Sequence, residues 1–260
     1  MSDKINRTQN MHTKLLTQIL PTMLIGSLGS ASAALVANQT VGIDFASANP
    51  AFGAASGGTS GNFTEFSSSV ADGATSGVVT LTQDLTGAAV AGVSFTVTNN
   101  LGKDASLTSV ASNDTMVPAP FTGAEIFDDS WGGANVGNAT RADAGTLANG
   151  ANIVIFFAGL DDSLTYDLTG GGNFVNNNFD TIWTSGATTA TTDNGTTPFV
   201  TLSDLSTDGS GNLSVTVERE AVQLLIAAVT LTANAPTIPE PSSSLLMGLG
   251  LLAGLARRRR

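Results

Sequence analysis

Short runs of alternating apolar and polar residues fill the chain between residues 40 and 233. Val93, Phe95 and Val97 alternate with Ser94, Thr96 and Thr98, and Leu213, Val215 and Val217 alternate with Ser214 and Thr216. A period of two turns one face of a strand to a core and the other to water. Residues 153–157 are apolar throughout, which predicts a central strand. Further strands are expected at 40–45, 62–66, 78–81, 93–98, 165–168, 181–184, 199–202, 213–217 and 222–231. Turn chemistry separates them. Asp208, Gly209, Ser210, Gly211 and Asn212 predict a hairpin joining 199–205 to 213–217. Residues 170–173 and 176–178 predict loops, 46–61 and 186–197 are Gly/Thr-rich connections, and 128–151 reads as one long loop carrying Trp131. Regularly spaced short strands, with no internal repeat and no helix-period pattern, predict a single all-β domain, a jelly-roll-like β-sandwich. A domain of about 200 residues buries enough surface to stand without disulfides, and the sequence has no cysteine.

The two ends obey other rules. Lys4, Arg7 and Lys14 precede a mostly apolar run at 15–28, and Ala31, Ser32 and Ala33 follow as a small-x-small site. That order predicts a signal peptide, a helix during export, cut after Ala33. Either Met1 or Met11 can start it. At the other end Pro239, Glu240 and Pro241 hold an extended stretch, because neither proline fits a helix interior. An apolar segment at 245–256 follows, and then Arg257, Arg258, Arg259 and Arg260. The arginines stop a transmembrane helix and keep its end on the cytoplasmic side. From residue 242 to 256 a helix rises about 22 Å against a hydrocarbon core of about 30 Å, which suits a temporary anchor. The chain is therefore expected to divide into a signal peptide (1–33), a β-sandwich domain (34–233), and a linker with a terminal signal (234–260).

That terminal signal resembles the PEP-CTERM sorting signal of Gram-negative bacteria that make exopolysaccharide. The resemblance rests on Pro239, Glu240 and Pro241, the serines at 242–244, the Gly/Leu-rich span and the arginine cluster, in that order. It implies export by the general secretion machinery, transient insertion in the inner membrane, and cutting by exosortase, a membrane-embedded transpeptidase-like protein. The destination it implies is the cell surface or extracellular matrix. A second resemblance covers the body. Residues 157–168, the segments 201–205, 213–217 and 222–231, and the opening Gly42, Ile43, Asp44 and Phe45 are similar to galactose-binding-like jelly rolls. It implies a carbohydrate-binding-like fold.

Removing both ends changes the charge. Residues 34–238 keep Lys103, Arg141 and Arg219 against nineteen Asp and Glu, a net −16. Such a body repels nucleic acid and anionic membrane surfaces. The only histidine, His12, lies ahead of the expected cut. A Ser-His-Asp triad, a Cys-His pair and a Cys/His zinc site are therefore excluded from the body. Carboxylates, Tyr166 and Lys103 remain for chemistry. Asp128 beside Asp129, and Asp161 beside Asp162, are adjacent pairs, but neighbours on a strand point to opposite faces and make no catalytic dyad.

Sugar rings stack on aromatic faces, so Trp131, Tyr166 and Trp183 are the candidate glycan contacts, with Trp131 expected in an exposed loop. Asp208, Ser210 and Asn212 imitate the start of a calcium loop. The imitation fails at Leu213, where glycine is needed, and at Arg219, where a bidentate glutamate is needed. Calcium held by scattered carboxylates stays open, and no metal residue is assigned. The reading is a non-enzymatic exported protein without a cofactor, sorted by exosortase and associated with exopolysaccharide. Two alternatives stand beside it: a carbohydrate-binding module with a defined glycan ligand, and a carboxylate-based glycoside hydrolase.

Overall fold

The computed structural model describes residues 34–45, 62–109, 121, 129–132, 147–171, 180–193, 196–220 and 223–236. Those residues form an all-β fold without a helix. The strands are β1 (Thr40–Asp44), β2 (Thr64–Glu65), β3 (Val79–Thr80), β4 (Ser94–Asn100), β5 (Ser106–Ser109), β6 (Asp129–Gly132) and β7 (Asn152–Ala158). They continue with β8 (Thr165–Gly171), β9 (Thr181–Ser185), β10 (Thr188–Thr191), β11 (Phe199–Leu205), β12 (Leu213–Arg219), β13 (Leu225–Ile226) and β14 (Ala228–Asn234). One sheet has the order β11-β8-β14-β1-β2, a second β10-β9-β12-β7-β4-β3, and a small third sheet β13-β6-β5. The expected signal helix and membrane helix lie outside the described residues. Among the described residues no helix is long and apolar enough to cross a membrane.

The two large sheets share one core. Val41, Ile43, Leu168, Val229 and Leu231 come from the five-stranded sheet, and Phe95, Val97, Ile153, Ile155, Val215 and Val217 from the six-stranded one. These are the inward positions of the period-two pattern, so alternation placed the core as it should. A run of rings crosses it: Phe45 to Phe66 at 5.5 Å, Phe66 to Phe95 at 5.7 Å, and Phe95 to Phe157 at 6.3 Å between centroids. Such ring pairs add about 0.5–1.5 kcal/mol each beyond the area they bury. β7 is central, paired with β12 on one side and β4 on the other. A second apolar cluster of Phe63, Phe121, Ala227 and Ala228, with Leu85 and Phe199 against it, forms apart from this core.

Several connections differ from expectation. The segment at 208–212 is not a hairpin. β11 belongs to the five-stranded sheet and β12 to the six-stranded one, so the chain arches over the core here. The link between β7 and β8 arches the same way. Asp208 N–H still donates to Asn212 C=O at 2.9 Å, so the local turn closes as turn residues close it, but its flanks go to different sheets. The hairpin lies instead at 186–187, inside a stretch expected to be a loop. There β9 pairs with β10 from Ser185 opposite Thr188, and Gly186 has a φ of 58°. Gly170 and Gly171 continue β8 rather than opening a loop. Residues 222–231 split into β13, which pairs with β6, and β14, which lies between β8 and β1. β6 takes Trp131 out of its expected loop and pairs it with Leu107 and Ile226.

Candidate functional site

Trp183 sits at an inward position of β9 and is 0 % exposed. Its indole N–H donates to Thr181 Oγ1 at 2.8 Å, and Thr181 Oγ1 lies 3.0 Å from Thr192 Oγ1. The polar edge of the ring is thus satisfied inside the fold, as a buried tryptophan requires. Tyr166 is also 0 % exposed, inward on β8. Its hydroxyl accepts from Asp161 N–H at 2.8 Å and donates to Asp161 C=O at 3.0 Å. Burial pushes the phenol pKa up, so the proton that makes the second bond stays in place. Neither ring has a face available to a sugar, and both are corrected from glycan contacts to core residues. The physical reason is the strand period, which turns both side chains inward. Trp131 is placed by its backbone alone, in the middle strand of the small sheet.

Asp161 and Asp162 lie on the β7–β8 arch, against the β11–β12 arch. Leu160 N–H donates to Gly211 C=O at 2.9 Å, and Gly211 N–H donates to Asp162 Oδ1 at 2.8 Å. The Thr207 hydroxyl donates to the same carboxylate oxygen. Asp161 Oδ1 accepts from the Ser163 hydroxyl at 2.7 Å and from Ser163 N–H at 2.8 Å. Those bonds hold its carboxyl below the ordinary carboxylate range. A general acid for glycoside hydrolysis needs the opposite direction. Asp208 likewise closes its own turn, accepting from Asn212 Nδ2 at 3.0 Å, Ser210 N–H at 2.8 Å and Asn212 N–H at 3.2 Å. Its pKa is lowered by the same bonds. The two adjacent pairs singled out in the sequence thus behave unequally. Asp162 fastens one arch to the other, Asp161 closes its own turn, Asp129 opens β6, and Asp128 lies outside the described residues. Among the described residues no group of three or more Asp, Glu or His could hold a metal ion.

Sequence reasoning missed one more turn-closing carboxylate. Asp84 is 4 % exposed and its Oδ1 accepts from the Thr86 hydroxyl at 2.7 Å, Thr86 N–H at 2.9 Å and Ala88 N–H at 2.9 Å. Burial pushes its pKa up, but these bonds and one from Gln39 outweigh it and hold the carboxyl low. The signal was the Asp-Leu-Thr-Gly turn spacing at 84–87. Asp84, Asp161 and Asp208 are all held below the ordinary carboxylate range, so each contributes stability above its unfolded pKa and loses it as pH falls through the folded one. His12 lies outside the body, which therefore has no imidazole. The melting temperature is expected to fall below about pH 5, as these three carboxylates take up protons on unfolding. A melting temperature that stays level from about pH 5 down to about pH 2, by calorimetry over that series, contradicts this assignment of roles.

The sorting residues Pro239, Glu240, Pro241 and Arg257 to Arg260, and Ala31 and Ala33 of the expected cleavage site, lie outside the described residues. No curated protein and no solved structure matches the chain. The family model of the PEP-CTERM protein-sorting motif matches residues 237–260, the same proline pair, apolar segment and arginine cluster. That motif implies an exported, membrane-transiting protein that exosortase processes. The chain carries, at residues 237–260, the PEP-CTERM protein-sorting motif.

Proposed function

We propose that this protein is a non-enzymatic component of the cell surface or extracellular matrix, delivered through its sorting motif and associated with exopolysaccharide. The observation that carries the reading is the motif at 237–260. The signal peptide is cut after Ala33, the apolar segment at 245–256 spans the inner membrane only until exosortase acts, and the processed body needs no cofactor. A body with no cysteine and no histidine, with three cations against nineteen acids, supports a soluble structural role over nucleophilic catalysis. Two large β-sheets joined by arches support a jelly-roll-like sandwich.

Mass spectrometry of the protein recovered from the cell surface and medium tests this. The expected species starts after Ala33, ends near Pro239, Glu240 and Pro241, and lacks Arg257 to Arg260. Deleting residues 237–260 is expected to abolish C-terminal trimming and surface retention while leaving N-terminal cleavage intact. Recovery of the uncut chain from the cytosol overturns the proposal. Reducing-sugar release from matrix polysaccharide by the purified protein overturns its non-enzymatic part and favours the glycoside hydrolase.

A further inference from the structure

Threonines pave the outer face of the six-stranded sheet. Paired threonine hydroxyls also cross the other large sheet, Thr169 with Thr201 at 2.8 Å and Thr40 with Thr232 at 2.9 Å, so an exposed ring and a lack of charge set the six-stranded face apart. One row crosses it from strand to strand: Thr189, Thr184, Thr216, Val154 and Thr98, with Thr75 bridged beyond. Neighbouring hydroxyls meet along it, Thr184 with Thr189 at 3.2 Å and Thr75 with Thr98 at 2.8 Å. The strands lie about 4.8 Å apart, so the row offers a repeat of hydroxyls across the sheet. In the next row Phe156 lies between Ser214 and Thr96. Phe156 is 37 % exposed, although β7 is the central strand of the core. Only two other large hydrophobic residues among those described are exposed, Val36 and Val78. Val78 stands just ahead of β3, and since Val79 packs on the core, Val78 turns to the same outer face.

Charge is nearly missing there. Of the outward positions on these six strands only Glu218 is ionisable, at one end of β12, in a body of net charge −16. A face cleared of charge on an acidic protein repels an acidic polymer through the surrounding field while offering an uncharged one hydroxyls, amides and a ring. A second copy of the chain fits worse. It brings the same negative charge, and a stable dimer needs about 800 Å² per partner around an apolar centre, whereas this face has one exposed ring among hydroxyls.

We infer that this face binds an uncharged polysaccharide chain laid across the strands, with the apolar side of a sugar ring on Phe156 and hydroxyls on the threonine row. The inference rests on the exopolysaccharide-associated reading above and names its contact surface.

Binding of the processed, exported protein to a glycan array of neutral and uronic-acid chains tests it. Signal is expected on neutral chains, reduced about tenfold by Phe156→Ala and by Ser214→Glu, which places a charge directly opposite the ring on an exposed position. Ser203→Glu, exposed on the other large sheet, is expected to bind as the unaltered protein does. Circular dichroism melts of each variant separate loss of binding from loss of fold. No signal, signal on uronic-acid chains alone, or undiminished binding by a folded Ser214→Glu protein overturns the inference. So does a dimer in sedimentation that Ser214→Glu dissociates. Normal trimming and surface location alongside any of these results leaves the sorting proposal standing.

Discussion

Gly159→Ala is expected to lower unfolding free energy by more than about 4 kcal/mol, beyond what most single substitutions do. Gly159 is the first residue after β7, where the chain leaves its pairing with β4 and starts the arch to the other sheet. Its φ is 80°, and a Cβ there falls 1.8 Å from Gly92 C=O and 2.8 Å from the Gly92 carbonyl carbon. Left-handed backbone alone costs an L-residue about 1–2 kcal/mol. The remainder comes from the collision, which is with backbone and cannot be relieved by a rotamer change. Gly209→Ala separates the two contributions. Gly209 has a φ of 82° but no atom within 4 Å of its would-be Cβ, so only the backbone strain of about 1–2 kcal/mol is expected. Urea melts of the two variants check this, and equal losses would falsify the packing argument.

The second large effect joins the two sheets through one contact. Gly170→Ala is expected to destabilise the protein by about 3 kcal/mol, although removing a strand glycine otherwise favours the fold by about 0.5–1 kcal/mol. A Cβ at Gly170 in β8 lies 2.6 Å and 2.7 Å from Cη2 and Cζ3 of Trp183, and 3.1 Å from Val229 Cγ2. The indole cannot swing aside, because it is fully buried and anchored to Thr181 through its N–H. Trp183→Phe opens space at this spot and is expected to cost about 1–3 kcal/mol by itself. Combined with Gly170→Ala, the loss is expected to be smaller than the sum of the two by 1 kcal/mol or so. Strict additivity in the double-mutant cycle rejects the contact as the cause.

The positions legible in the sequence and those that were not follow from the range of the forces involved. Alternation at 93–98 and 213–217 depends on which face of a strand is buried, so β4 and β12 and their inward residues emerged from the sequence. β10 escaped because Thr188, Thr189, Ala190 and Thr191 carry little apolar contrast, and it forms by pairing with β9. β5 and β6 escaped because they pair across a long sequence separation, Leu107 with Trp131. Trp183 and Tyr166 look like sugar platforms when composition alone is weighed. Their burial depends on a partner sheet that no local pattern names.

The turn at 208–212 shows the boundary most clearly. Its Asp, Gly and Asn residues predict a reversal of the chain, and the Asp208 carboxylate does close one. Whether the two flanks then pair with each other or part to opposite sheets is decided by register with β8 on one side and with β7 and β9 on the other. By itself the sequence determined the all-β class, the inward residues of most strands, the acidic charge and the sorting motif, because each is carried by neighbouring residues or by counting. Which strands are neighbours, that two arches cross the core, that Tyr166 and Trp183 are buried, and that one sheet face is left almost uncharged were settled by the assembled fold. Those depend on contacts between residues far apart in the chain, whose free energy exists only when the whole fold has formed.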